Sequence, residues 1–385
     1  MKILVISLSP IASDPRVIRQ IEALNEIADV RVLGYSPLPE NVKGSNVFQP
    51  ELLPWYCKII LGFLLACRAH RAAEYIYYEK LMGSCIAGIG YVPDVLVVND
   101  ITAMPVAKNF IRQCGAGPKP IYLDLHEFGP AEGGGLIDRL IKNPFKSYLC
   151  EVYLSRANTI TTVSYGLVKA YQRLTDKCVR LISNAPFYER LIPSEISEEK
   201  VKLVHHGGFG PGRDFEGLIE TMEHLGDGFE LHFYLMGNDR QLNNLRERAR
   251  HLPVIFHDPV PTKLLAKELN QYDIGVYLLK ADNYNNTHAM PNKLFEFVQA
   301  RLAIATSPNP EMKSFIIGNK IGVVSEKCTG RSLADAIKAI SNKDIKGFKL
   351  NADIAAAVHC FETNKKMIVE MATEIVGPKS PLCAE

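Results

Sequence analysis

The chain has 385 residues, of which 47% are hydrophobic and 22% charged, and a formal net charge of +2. That length exceeds one compact core and suits two domains, with the composition of an ordinary globular protein. A balance so near neutrality lacks the basic excess of a general nucleic-acid binder, so nucleic acid is not an expected partner.

The chain opens on KILVISL (2–8), an apolar run that reads as a buried strand and is too short for a signal peptide. RVIRQIEALNEIA (16–28) has helical spacing, with Val17, Ile21, Leu24 and Ala28 on one face. DVRVLGY (29–35) is the next strand. LLPWYCKIILGFLLACRAHR (52–71) is densely apolar, holds the only Trp and ends in Arg68, His70 and Arg71. Lys58 and Pro54 interrupt it, and it is too short to span a bilayer comfortably. DVLVVND (94–100) and PIYLDLH (120–126) are strands. LIDRLIKNPFKSYL (136–149) reads as one helix mixing apolar residues with Arg139, Lys142 and Lys146. Together with 52–71 it suggests an interfacial surface with aromatic and basic anchors, set against the plainer reading of a buried helix with a basic end. TITTVS (159–164) and CVRLISN (178–184) complete the first series of strands.

A polar stretch, 187–200, carries Pro193, Glu195, Glu198, Glu199 and Lys200 and reads as a linker. The rhythm then restarts with KLVHHG (202–207), FELHFYLMG (229–237), VIFHDP (254–259), DIGVYLL (273–279), LAIATS (302–307) and KIGVVS (320–325). Apolar runs joined by helical segments imply doubly wound parallel sheets. The expected architecture is α/β, with two Rossmann-like domains facing across a cleft: 1–186, a linker at 187–200, 201–355, and a helical tail at 356–385 packing back on the first domain. Ligands in such sheets bind beyond the carboxyl ends of the strands, which makes the cleft the expected site. The nine Cys, at 57, 67, 85, 114, 150, 178, 328, 360 and 383, form no CxxC pair. They point to reduced thiols in a cytoplasmic protein, not to disulfides or zinc.

Polar residues gather at those strand ends. DPRV (14–17) puts Arg16 in the first turn of a helix, where it either reaches an acceptor phosphate or is solvated. Asp100 ends a strand and either serves the acceptor side or caps the following helix. LDLHEFGPAEGGG (123–135) sets His126 and Glu127 beside Asp124 before a glycine-rich loop, where a His can act as acid, base or hydrogen-bond donor. HHGGFGPGRDFEGL (205–218) lets backbone approach a ligand at Gly208 and sets Arg213 at a helix start, where an anion would explain it. HAMPNKLFEFVQARLAIAT (288–306) starts a helix with Pro291, Asn292 and Lys293 and places Glu296 one turn further in. Free amides, the helix dipole and a Lys make an anion site there, with a carboxylate placed for neighbouring hydroxyls. That combination suits a nucleotide sugar. Neither a Walker loop nor a GxGxxG motif is present, which weighs against an ATPase and a dinucleotide oxidoreductase. No DxD-type acidic pair occupies a suitable loop, so no metal or other cofactor is expected.

These residues resemble the GT-B glycosyltransferases and, within them, glycosyltransferase family 4. The resemblance rests on DPRV, the strand ending in HEF, TVSYGL (162–167), NAP (184–186), the GG…R loop and PNKLFEF, in this order along nearly the whole chain. It implies retaining, metal-independent transfer of a sugar from a UDP- or GDP-sugar to a glycan or lipid-linked acceptor in cell-surface polysaccharide or glycoconjugate synthesis. It implies that Gly208 lines the phosphate site, that Arg213 and Lys293, with the backbone after Pro291, clamp the diphosphate, that Glu296 holds the donor ribose and that His126 lies near the transferred sugar. His288 departs from the pattern, because the first Glu of the Glu-x7-Glu motif belongs there, and its contact with the donor sugar is left open. The usual second basic residue beside Arg213 is also not obvious. A nucleotide-sugar epimerase and a catalytically inactive binding protein of the same fold are the alternatives. The apolar segments add an expectation of peripheral contact with an anionic membrane at the cytoplasmic face.

Overall fold

The computed structural model describes residues 1–35, 37–38, 42, 46–48, 54–81, 91–115, 117–196 and 199–376. Leu52, Leu53, Cys85, Glu198, Cys383 and the tail from 377 lie outside the described residues. The chain divides into two compact units. The first comprises Met1–Ile182, Asn283–Asn285 and Asn364–Glu385, and the second Ser183–Asp282 and Asn286–Thr363.

The first unit is built on a seven-stranded sheet ordered β3-β2-β1-β4-β5-β6-β7. Its strands are β1 (Lys2–Pro10), β2 (Asp29–Tyr35), β3 (Asn46–Phe48), β4 (Val95–Asn99), β5 (Ile121–Leu125), β6 (Thr159–Thr162) and β7 (Val179–Leu181). Every pairing is parallel. The second unit repeats the plan with six strands ordered β10-β9-β8-β11-β12-β13. These are β8 (Val201–Gly208), β9 (Phe229–Met236), β10 (Val254–His257), β11 (Ile274–Tyr277), β12 (Ala303–Thr306) and β13 (Gly322–Val324), again all parallel. In both sheets the chain starts mid-sheet, runs to one edge, then returns across the first strand. That reversal is the doubly wound switch point, beside which ligands bind in such folds.

The expected strands form because their apolar runs are buried by helices on both faces. β4 and β5 are buried at every position. Three features differ from expectation. β3 lies in a stretch too short to show periodicity. The segment 136–149 is not one regular helix: a π stretch, Asp138–Lys142, precedes an α-helix, Asn143–Tyr153. Pro144 lacks the N–H that regular helical bonding needs at that turn, and the wider turn accommodates it.

The third difference is the stretch expected to be a linker. The described residues of 187–200 belong to the second unit, and the division falls at Ile182/Ser183 instead of 186. Buried cations hold the stretch down. Arg301, fully buried, donates to the Glu189 carbonyl at 2.7 Å and to Asp353 at 2.6 Å. Lys349 donates to Ser194 Oγ at 2.8 Å. At the other end, position 356 falls inside the helix Asn342–Val358, and the chain passes to the first unit only at Asn364.

Candidate functional site

In the second unit, β8 ends in His205, His206, Gly207 and Gly208, and the loop beyond it leads to the helix Phe215–Leu225. Asp214 caps that helix, its side chain accepting from Gly217 N. Arg213 therefore stands just before the cap and not in the helix. It is exposed, and its Nη1 donates to the Gly208 carbonyl. The helix Asn292–Gln299 has Pro291 as its N-cap, one position earlier than the first-turn place expected for it, with no side chain capping the amides of that turn. Lys293, second in the helix, is 6% exposed, and its Nζ donates to the His206 carbonyl. Gly207 makes this possible. Its φ of 106° suits glycine, and a Cβ there would lie 2.6 Å from Lys293 Nζ. Burial and then the charge of Arg213 push the Lys293 ammonium down to about 7, against the opposing Glu296. Glu296 Oε2 lies 3.3 Å from His206 Nε2. Asn292 Oδ1 is buried without a hydrogen-bond partner.

His288 lies in the loop before this helix, its Nδ1 3.4 Å from Glu311 Oε1. Glu311 is in the first turn of the helix Pro310–Asn319, where the helix dipole favours a carboxylate. Asn309 Nδ2 donates to the Asn286 carbonyl at 2.8 Å, and Asn184 Nδ2 to the Met290 carbonyl at 3.0 Å. The loop carrying His288 is thus fastened at both ends. A carboxylate does stand beside position 288, but it comes from a different element.

In the first unit the site is a line of alternating charge. Asp124, at the end of β5, is buried and accepts from Arg16 Nε at 2.8 Å and Nη2 at 2.7 Å, and from Thr161 Oγ1 at 2.6 Å. Arg16 Nη1 also donates to the Ile182 carbonyl at 3.0 Å. Arg16 is therefore neither solvated nor presented to an acceptor; it is the buried counter-ion of Asp124. Burial opposes the Asp124 carboxylate, but Arg16 and His126 outweigh it and hold the group well below the usual range. His126 Nε2 lies 3.4 Å from Asp124 Oδ2 and 3.1 Å from Asn99 Oδ1, and its Nδ1 lies 3.6 Å from Asp100 Oδ2. Burial disfavours the charged ring; Asp100 and then Asp124 overcome it and raise His126 to about 9. The ring is an imidazolium at neutral pH and so a donor, not a base.

Asp100 makes no capping hydrogen bond, contrary to one expectation. Its Oδ1 accepts from His126 N at 2.9 Å, and its backbone sits at φ 66°, ψ 154°. A non-glycine residue held there stores strain of order 1–3 kcal/mol, a feature concentrated at functional sites. Glu127 is exposed, yet crowding by surrounding protein, then Glu132 and Asp100, push it up to about 7. Its Oε2 accepts from Asn285 Nδ2 at 3.3 Å, within the same unit.

The first unit thus gathers Arg16, Asp100, His126 and Glu127, and the second Gly208, Arg213, Pro291, Asn292, Lys293 and Glu296, with His288 in the adjoining loop. Sequence reasoning missed His206, Glu311 and Asn99. The doubled His in the glycine loop and the Asn before Asp100 were the available signals for two of them; Glu311 left none. Among the described residues, no group of three His, Cys, Asp or Glu side chains is placed to hold a metal ion.

No protein-family model matches the chain, and no curated protein sequence does. Solved structures do. Sucrose-phosphate synthase from Thermosynechococcus elongatus superposes with a TM-score of 0.71 at 12% identity, over 97% of this chain and 99% of that one. An E. coli trehalose-6-phosphate protein bound with UDP-2-fluoro glucose gives 0.65 at 11% identity, over 98% and 99%. HepE from Anabaena, in complex with UDP and glucose, gives 0.66 at 13% identity, over 97% and 99%. At these identities the likeness shows the fold, and the fold is GT-B.

Proposed function

We propose that the chain is a glycosyltransferase. The second unit holds a nucleotide-diphosphate sugar, of the UDP or GDP type, and the first offers a hydroxyl of a glycan or lipid-linked acceptor. The observation that carries this reading is Lys293. It is a buried cation at an uncapped helix start, beside a glycine turn that makes room for it, with Arg213 alongside. Burial and Arg213 disfavour the charged form of this group, an arriving anion favours it, and a diphosphate is an anion of the right charge. Structures of the same fold that carry UDP with glucose, or a UDP-sugar analogue, support the assignment.

In the transfer, the bond between the sugar C1 and the diphosphate oxygen breaks while the acceptor oxygen bonds C1 on the same face. The acceptor proton passes to the leaving phosphate. Charge building on the diphosphate is stabilised by Arg213, Lys293 and the free amides after Pro291, so the reaction needs neither a metal nor a carboxylate nucleophile. Glu296 accepts from the ribose hydroxyls. His126, as an imidazolium, donates to the donor sugar, and the raised carboxyl of Glu127 stands on the acceptor side.

The test is a panel of nucleotide sugars in EDTA, with released nucleotide and converted sugar both followed. We expect turnover with at least one donor and a loss of about tenfold or more in kcat/KM for Arg213→Ala. Unchanged kinetics in that variant would remove the clamp, and strict dependence on Mg²⁺ or Mn²⁺ would remove the metal-free mechanism. Sugar conversion without an acceptor would instead favour an epimerase.

A specific observation favours a lipid-linked acceptor. None of the residues of the helix Trp55–Ala66 is buried, and Trp55 and Phe63 are 73% and 67% exposed. The stretch Asp138–Lys142, which carries Arg139 and Lys142, lies against this helix, and Leu140 within it and Leu136 and Ile137 just before it are exposed. Such a surface fits peripheral docking on an anionic membrane. No described helix is long and apolar enough to cross one.

A further inference from the structure

The surroundings of Lys293 contain more than a diphosphate clamp requires. Its ammonium is faced from β8 by His205 and His206, from the following loop by Arg213, from β11 by the Tyr277 ring at 5.3 Å, and from its own helix by Glu296. Burial, and then Lys293 itself, hold both histidines neutral. Glu296 is turned toward His206 Nε2. Among the described residues, no carboxylate lies within ion-pair distance of Lys293 Nζ, whereas the one other buried lysine, Lys349, has Asp273 at 3.9 Å. Its direct partner is a backbone carbonyl, and the strongest charge acting on it is that of another cation, Arg213, with Glu296 opposing more weakly.

We propose that the donor diphosphate enters this site together with a proton, which passes from solvent to the lone pair of Lys293 Nζ. This deepens the nucleotide-sugar reading and rests on it. The arriving anion adds a counter-charge at ion-pair distance to the weaker effect of Glu296, and it offsets the repulsion from Arg213. Both changes favour the ammonium over the amine. Gly207 leaves the space in which Nζ sits, so the charged group forms without displacing backbone. The site then discriminates on charge. A neutral ligand of the same shape gains no proton and leaves the cost of burying Nζ unrelieved.

Linkage fixes the size of the effect. With Lys293 titrating at about 7 before binding, each diphosphate takes up ~0.5 proton at pH 7 and ~0.9 at pH 8. The dissociation constant accordingly rises with pH above 7, approaching about tenfold per pH unit until the bound ammonium itself titrates. Calorimetry with UDP-glucose, whose diphosphate has no group titrating near neutrality, measures this directly. Runs at pH 8 in two buffers of different ionisation enthalpy give the protons exchanged. GDP-mannose and inorganic pyrophosphate serve as further probes. We expect close to one proton taken up by the wild type, none by Lys293→Met with weaker binding, and unchanged uptake by His206→Gln. Arg213→Ala should lower uptake at pH 7, because a repulsive charge on Lys293 is gone. Binding without proton uptake overturns the proposal and leaves the nucleotide-sugar reading standing. Uptake that persists in Lys293→Met also overturns it, since the proton then goes elsewhere. Failure of all three probes to bind overturns both.

Discussion

Asp100, His126, Asp124 and Arg16 show how much of a site is decided by contacts the chain makes over long separations. Arg16 and Asp124 are 108 positions apart and make a bidentate pair. From the sequence each was a polar residue at an element end, and nothing in either neighbourhood announced the other. The place of Lys293 in the first turn of its helix was legible because helix-start chemistry is local, whereas Arg213 falls one residue short of the cap of the helix it was expected to begin. Asp100's backbone conformation was not legible, because strain is imposed by packing and carries no residue signature. The His126 pairing has a measurable consequence. Its folded-state value of about 9 lies above the ordinary 6.5. The stabilisation from the charged ring is thus fully present below pH 6.5 and is lost as pH rises through 9, with a ceiling of ~3 kcal/mol. Urea unfolding of wild type and His126→Gln at pH 6 and pH 9.5 should show the wild-type advantage shrinking at the higher pH. A difference independent of pH would mean that His126 is not held as an imidazolium.

At the scale of elements, strands declared themselves because buried parallel strands are continuous apolar runs, whereas interruptions and attachments did not. β3 is too short to have a period, and the π stretch before Pro144 follows from a single missing N–H. The stretch 187–200 looked like a linker because it is polar and irregular. Its attachment to the second unit depends on Arg301 and Lys349, whose burial could not be read from their own surroundings. The helix Trp55–Ala66 is the converse case. Its composition suits a core, yet none of its residues is buried. Ile59→Ser with Phe63→Ser should therefore leave unfolding stability within about 0.5 kcal/mol per site, while abolishing flotation with anionic liposomes. If the double variant loses several kcal/mol instead, the helix packs against protein in solution and the membrane reading fails. If wild type floats with neither anionic nor neutral vesicles, the exposed helix is not a membrane-docking surface and the observation favouring a lipid-linked acceptor is lost.

At the scale of the whole chain, the two units are similar in plan but differ in how their ends are completed. The second is continuous except for Asn283–Asn285, whereas the first also includes residues from the far end of the sequence. The helix Phe361–Glu374 buries Ile368, Met371 and Ala372. It also carries Lys365, paired with Glu26, and Glu374, 3.3 Å from Arg180. Those ion pairs are partly exposed and contribute little; the buried apolar side chains decide the helix's value. Truncating a buried Met to Ala costs roughly 2–5 kcal/mol, because the removed atoms leave a cavity that the surroundings fill only partly. Met371→Ala should therefore lower the stability of the first unit by that amount, and Lys365→Ala by less than about 1 kcal/mol. Hydrogen exchange read strand by strand checks where the loss falls. Faster exchange in β1, β4 and β5 with β8, β11 and β12 unchanged is the expected pattern. Equal loss in both sets would mean that the two units unfold as one cooperative body, and loss confined to the second set would remove the helix from the first.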